Sequence, residues 1–239
     1  MLAHRGFSPD APENTLLAFA AAIDAGAEII ETDVHATADG VSVVAHDPTL
    51  ERTAGRDDSI ESLLWQQLQH IPLGDDQTTP TLLEALDAFP DTRFNIDMKS
   101  DASVVPTVRA VAMLGAEDRV LLTSFSERRR RQAASLLPAI ATGGSRRTAI
   151  AALAAARAGS LRMMRWALKD VDALQIPERS GAVQVLSPRM LELVQAAGRE
   201  LHVWTVNDEQ RMHQLLDFGV DGIVTDRIDR ARRVLDARA

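Results

Sequence analysis

The stretch Glu28-Ile29-Ile30-Glu31-Thr32-Asp33-Val34-His35, then Ala36-Thr37-Ala38-Asp39-Gly40, then Val41-Ser42-Val43-Val44-Ala45-His46 decides how this chain is counted. Both apolar runs read as strands. The short segment between them closes with an Asp-Gly turn signal, whereas a parallel crossover needs a dozen residues or more. Val41–His46 is therefore a hairpin partner or an extra strand, outside the parallel series.

Working outward, eight barrel strands are expected: Leu2–His4, Glu28–His35, Arg93–Met98, Arg119–Ser124, Ala139–Thr142, Ala173–Ile176, Leu201–Val206 and Gly222–Thr225. Amphipathic stretches alternate with them: Thr15–Ala25, Ser59–Gln69, Leu82–Ala88, Ala102–Leu114, Glu127–Leu137, Thr148–Ala156, Pro188–Ala197, Glu209–Phe218 and Ile228–Ala237. Strand and helix in regular alternation imply parallel strands covered by helices. The reading is a single α/β domain over residues 1–239, a (β/α)8 TIM barrel with a short extra strand. The irregular segment Ala54–Thr79 is expected to be a loop excursion on the catalytic face. Asn14, Ser126, Ser187 and Asp208 are expected helix caps, and Gly26 and Gly219 expected helix stops.

The 239 residues are 46% hydrophobic, enough for one well-buried core. A net charge of −8 argues against general nucleic-acid binding. The absence of cysteine excludes disulfides and thiolate ligands, so a metal would need oxygen or imidazole donors. No apolar run is long enough to span a bilayer, so no stable membrane insertion is expected. Met1-Leu2-Ala3-His4-Arg5-Gly6 does not open like an export segment, and a cytoplasmic location is the expectation.

Polar residues at strand ends carry the functional signal, because such barrels place their chemistry at the carboxyl ends of the strands. Strand one ends at His4 and Arg5, strand two carries Glu31 and Asp33, and strand three carries Asp97 and Lys99. Side chains alternate along a strand, so Glu31 and Asp33 share a face, as do Asp97 and Lys99. Three converging carboxylates repel unless a cation or protons intervene, and a hard divalent ion, Mg2+ or Ca2+, suits oxygen donors. The alternative is structural: Glu31 and Asp33 ion-paired with Arg5 and Lys99. His4 and His46 are the acid–base candidates, and His35 shares the face of Glu31 and Asp33. Arg5 and Lys99 offer charge to a phosphate, and Trp204 an apolar wall. His70 and His213 read as surface residues, His202 as facing a helix, Trp65 and Trp166 as packing residues, and Arg128–Arg131 as a solvated helix face.

These residues resemble the glycerophosphodiester phosphodiesterases. The likeness rests on Ala3-His4-Arg5-Gly6, Pro12-Glu13-Asn14-Thr15, Glu31-Thr32-Asp33-Val34, and Val43-Val44-Ala45-His46-Asp47-Pro48-Thr49-Leu50. It continues in Asn95-Ile96-Asp97-Met98-Lys99, Trp204-Thr205-Val206-Asn207, and Gly219-Val220-Asp221-Gly222-Ile223-Val224-Thr225-Asp226. It covers essentially the whole chain, although residues 136–200 contribute little. The resemblance implies hydrolysis of a small-molecule glycerophosphodiester to an alcohol and glycerol 3-phosphate. It implies His4 and His46 as catalytic pair, Glu31, Asp33 and Asp97 as holders of one divalent cation, Arg5 and Lys99 at the phosphate, and Trp204 near the substrate. At Asp97 the family usually has glutamate, one methylene longer. Three other readings remain at this stage: a lysophospholipase D-like enzyme, favoured by any apolar groove beside Trp204; a non-catalytic barrel binding phosphorylated ligands; and a sugar-phosphate isomerase or aldolase, which would not need two histidines with three acids.

Overall fold

The structure, a computed structural model, describes residues 1–9 and 11–238. Eight parallel strands run β1 (Leu2–His4), β2 (Ile29–Ala36), β3 (Arg93–Met98), β4 (Val120–Thr123), β5 (Ala141–Thr142), β6 (Ala173–Pro177), β7 (Glu200–Trp204) and β8 (Gly222–Thr225). Their order around the sheet is β5-β4-β3-β2-β1-β8-β7-β6. Each strand thus neighbours its sequence neighbour. The seam between β5 and β6 is bridged at Gly143 and Ala173, which leaves a nearly closed eight-stranded barrel, as expected from the alternation.

Outside it lie α1 (Leu16–Asp24), α2 (Leu82–Ala88), α3 (Val104–Met113), α4 (Glu127–Leu136), α5 (Arg146–Ala158), α6 (Leu161–Ala167), α7 (Pro188–Ala196), α8 (Glu209–Phe218) and α9 (Ile228–Asp236). The core sits between barrel and helices. Phe19 of α1 packs edge-to-face on Phe94 of β3, centroids 6.0 Å apart, and both rings are buried. Burial of one such side chain contributes about 1.5–3 kcal/mol.

The strand Ser42–Val44 runs antiparallel to the end of β2, with Val34 opposite Val44 and Ala36 opposite Ser42. It is the hairpin partner the turn signal requires. Ser126, Ser187 and Asp208 cap α4, α7 and α8 through their side-chain oxygens, and Gly219 closes α8 with φ +96°. Gly26, at φ +90°, follows the end of α1.

Several expectations fail locally. Thr15, not Asn14, caps α1, accepting from the Ala18 amide at 3.2 Å. Asn14 is buried in the left-handed region at φ +57° and turns its side chain toward β2. The helix expected over Ser59–Gln69 is broken into the turn Ile60–Ser62 and the single helical turn Trp65–Leu68. Leu63 and Leu64 between them are extended, and the Leu63 carbonyl accepts from the Ala38 amide at 2.8 Å. Ile60, Leu68 and Ile71 reach a small satellite core with Val43 and Leu50, whereas Leu64, which a continuous helix would put on the same face, is exposed. Trp65 packs on this cluster as expected, but Trp166 is 67% exposed. His202 faces the barrel interior, not a helix. It shares its face of β7 with the cavity-lining Trp204, bonds Gln175 at 3.2 Å and packs over Gly222, where a Cβ would lie 2.6 Å from the ring. A glycine there makes room for the imidazole.

Candidate active site

The barrel opens at the carboxyl ends of its strands into a cavity of about 670 Å3. All eight site residues expected from sequence line it: His4, Arg5, Glu31, Asp33, His46, Asp97, Lys99 and Trp204. Strand register explains the grouping. His4 lies opposite Glu31, and Asp33 opposite Asp97, so neighbouring strands present their polar side chains at matching heights.

The turn after β1 is built for close approach. Gly6 sits at φ +85°, and a Cβ there would come within 2.8 Å of the Ala18 backbone. Only glycine meets both demands. Arg5 holds φ +57°, uncommon for a residue with a Cβ. Its amide donates to the Glu31 carbonyl at 2.8 Å, and its carbonyl accepts from the Asn14 amide at 2.9 Å. The strained residue is therefore pinned from both sides.

Both histidines are held through Nδ1. His4 Nδ1 lies 2.6 Å from Asp226 Oδ1, and His46 Nδ1 lies 2.7 Å from Asp47 Oδ1. With Nδ1 protonated and donating to a carboxylate, Nε2 is the free nitrogen on each ring. The hydrogen bond from His4 holds the Asp226 carboxyl below the usual range, aided by Asn207. Asp47 is also held low: burial pushes it up, but hydrogen bonds from His46 and Arg52 prevail. Asp47 belongs to a chain of ion pairs. Arg52 binds Asp47 and Glu13, each at 2.6 Å, and Glu13 binds Arg5 at 3.0 Å. The ends of β1 and of the hairpin strand are thereby linked through fixed charges. His35 is buried and bonds the His46 carbonyl at 3.2 Å through Nε2, which supports the loop rather than the cavity.

The three acids are not equivalent. Asp33 is the most engaged: Lys99 Nζ lies 2.8 Å from it, Arg5 Nε 3.3 Å, and Asn14 donates to it at 3.4 Å. Thr32 in turn fixes Asn14 through a 2.8 Å hydrogen bond. Lys99 also binds Asp97 at 2.7 Å. The ion-paired alternative is thus realised for Asp33, but Glu31 has no Lys or Arg side chain in an ion pair with it. Its nearest such partner is His4 Nε2, at 3.8 Å. Burial pushes the Glu31 carboxyl well above its ordinary value, and the charges of Asp33 and Asp97 push the same way. Burial likewise raises Asp97. For Lys99 burial works downward, but the Asp97 and Asp33 carboxylates hold its ammonium above the usual range.

Among the described residues no group of three or more His, Asp or Glu side chains is gathered closely enough to hold a metal as it stands. Lys99 lies between Asp33 and Asp97 and separates them. The donor chemistry still fits a hard cation. Asp97 Oδ1 is buried without a hydrogen-bond partner, Glu31 is buried among like charges, and every donor is an oxygen. Glu31, Asp33 and Asp97 are the residues that would hold such an ion.

Opposite this charged wall the lining is apolar. Phe125 stacks edge-to-face on Trp204, centroids 6.1 Å apart. Ile150, Leu153, Val183 and Val185 continue the wall beyond β5 and β6. Of this half the sequence reading had only Trp204. It also gave no role to Asp226, Asp47 or Glu13, and read Asn14 only as a helix cap, although all four lie in the motifs it singled out.

A parallel eight-stranded barrel with paired acids and carboxylate-bound histidines at its mouth defines a class of hydrolytic site. The chain belongs to the glycerophosphoryl diester phosphodiesterase family, whose sequence model matches residues 4–230. It is 43% identical to the probable glycerophosphodiester phosphodiesterase 2 of Mycobacterium tuberculosis over 99% of this chain and 90% of that protein. It is 30% identical to a glycerophosphodiester phosphodiesterase of Caldanaerobacter subterraneus, over 95% and 93%. Among solved structures it resembles an Oleispira antarctica phosphodiesterase in complex with the product sn-glycerol-3-phosphate, with TM-score 0.84 and 25% identity over 98% and 96% of the two chains. The protein is an enzyme, a phosphoric diester hydrolase with glycerophosphodiester phosphodiesterase activity.

Proposed function

We propose that the enzyme hydrolyses glycerophosphodiesters to an alcohol and glycerol 3-phosphate by paired-histidine acid–base catalysis, with one divalent cation, Mg2+ or Ca2+, held by Glu31, Asp33 and Asp97. The observation that carries this reading is the pair of histidines, each tied through Nδ1 to its own carboxylate at the rim of one cavity. Two such rings divide the work: one takes a proton from the attacking oxygen, the other gives a proton to the leaving alkoxide; water attacks directly, or the neighbouring glycerol hydroxyl attacks first and water then opens the cyclic phosphate to glycerol 3-phosphate. Asp226 and Asp47 keep each imidazole in the tautomer that leaves Nε2 facing outward. Arg5 and Lys99 orient the phosphate and neutralise charge on its equatorial oxygens. A cation bound by the acids supplies further positive charge to the non-bridging oxygens.

An orphaned Asp97 Oδ1 and an uncompensated Glu31 support the cation. The aspartate at position 97 supports a site of reduced affinity, because its carboxylate reaches less far into the cavity than the usual glutamate. The apolar wall of Phe125 and Trp204 favours a second reading, a lysophospholipase D-like substrate carrying an acyl chain.

The test is an activity matrix of metals against glycerophosphocholine, glycerophosphoethanolamine, a lysophospholipid and an artificial diester. Glycerol 3-phosphate release that stops in EDTA and returns with Mg2+ or Ca2+ is expected. Full activity after exhaustive dialysis against chelator would remove the cation from the mechanism.

A further inference from the structure

Residues 128–169 contain ten Lys and Arg and no Asp or Glu, in a chain whose net charge is −8. The segment covers α4, α5 and α6, so the basic charge is collected on one flank of the barrel. Part of it is neutralised locally. Arg128 pairs with Asp101, and Arg130 and Arg131 pair with Glu127. Arg146 and Arg147, in the first turn of α5, are exposed and have no ion pair among the described residues.

That turn is also where the cavity opens. The Arg146 amide donates to the Phe125 carbonyl at 3.1 Å, which joins the loops after β4 and β5 into one rim. Phe125 is 59% exposed and Ile150 61%, and both line the cavity while facing water. Across the opening Val183 is exposed on the small hairpin Arg179–Ser180 and Val183–Gln184, beside exposed Arg179. The nearby acid Glu178 is taken up by Arg211. The rim over β4–β6 therefore combines three unpaired cations with three exposed apolar side chains, and its apolar surface is continuous with the cavity wall.

We propose that this rim is a docking face for an anionic lipid surface, from which an amphiphilic phosphodiester enters the apolar half of the cavity. Charge complementarity selects the occupant. Basic side chains flanking exposed apolar ones match the interface of a membrane with anionic headgroups. A protein with an overall negative charge is otherwise repelled by such a surface, so only this face can approach it. No described helix is long and apolar enough to cross a membrane, and docking requires none. The proposal rests on the hydrolytic reading only for what enters the cavity; the docking itself does not depend on turnover.

The experiment is flotation of the full chain with vesicles of phosphatidylcholine alone or with phosphatidylglycerol added. Binding is expected to the anionic vesicles, not to the neutral ones, and to weaken as salt is raised. The triple substitution Arg146→Glu, Arg147→Glu, Ile150→Asp should reduce partitioning at least about tenfold, since each basic residue near the surface contributes about fivefold. A second variant, Arg146→Gln with Arg147→Gln, should lose less; both should melt like the wild type. No binding of the wild type to anionic vesicles at low salt would overturn the proposal. So would unchanged binding by both variants, or loss of binding only in Trp166→Ser, which would place docking on α6. Glycerophosphocholine turnover without vesicle binding would sink this inference alone; vesicle binding without turnover would sink the hydrolytic reading alone.

Discussion

Around the barrel mouth, β1, β2 and β3 present His4, Glu31, Asp33, Asp97 and Lys99, whereas the ends of β4 to β6 present Phe125, Ile150, Leu153 and Val183. The first wall is a dense network of charge. Most polar atoms there have a partner at hydrogen-bond distance; the buried carboxyl and amide oxygens Asp97 Oδ1 and Asn95 Oδ1 on β3 are exceptions. The second wall has no comparable network and is partly open to water. Groups that must be aimed are expensive to misplace, so they are locked by neighbours. Groups that only exclude water or receive an apolar chain need bulk and not direction. On the proposed mechanism, the contrast separates where bonds change from where the substrate is chosen.

The sharpest way to break this division is on the charged wall. His4→Ala or His46→Ala is expected to lower kcat by about 10²–10⁴-fold while leaving the melting temperature near that of the wild type; near-normal turnover in either variant would refute the pairing. Asp97→Asn should raise the metal concentration for half-maximal activity by about tenfold or more, and an unchanged metal titration would exclude Asp97 as a ligand. Asp226→Asn should cost at least about tenfold in kcat with KM little altered, because an amide donates to Nδ1 and favours the wrong tautomer. On the apolar wall the effect should be smaller and of another kind. Leu153→Asp should leave glycerophosphocholine turnover intact and lower kcat/KM for an acyl-bearing diester by about tenfold or less. Equal losses on both substrates would erase the distinction between the walls.

Stability offers the mildest test. The Glu31 carboxyl is raised in the folded protein, so the native state binds the proton more tightly than the unfolded chain does. In chelator, stability should therefore fall as pH rises from the unfolded carboxylate value toward the raised one. Glu31→Gln should flatten that decline and melt a few degrees higher than the wild type at neutral pH. A steeper decline in the variant would mean that Glu31 is compensated by a charge not accounted for. Mg2+ or Ca2+ should stabilise the wild type more than the variant.

Periodicity and turn chemistry made the barrel legible. Asp39-Gly40 set the extra strand apart, and alternation placed Glu31 with Asp33 on one face. Both signals are local, which is why they survive in a linear reading. The same reasoning misplaced His202 and Trp166. Alternation alone does not say which face of β7 is the interior; the Gln175 contact and the space over Gly222 do. Asn14 looked like a cap because residues of its type commonly are, but Thr15 fills that role and Asn14 is drawn away by Thr32 and Asp33.

By itself, then, the sequence determined that His4, Arg5, Glu31, Asp33, His46, Asp97, Lys99 and Trp204 would meet at the carboxyl ends of parallel strands. Strand period and barrel closure put the strand-end residues there, and the hairpin strand brings His46 beside them. Only the tertiary structure decided who partners whom: Asp226 with His4, 222 positions away, Lys99 between Asp33 and Asp97, and the apolar rim gathered from the loop after β4, helix α5 and the small hairpin after β6. Those pairings depend on distances across the barrel, and neither spacing along the chain nor residue type encodes such distances.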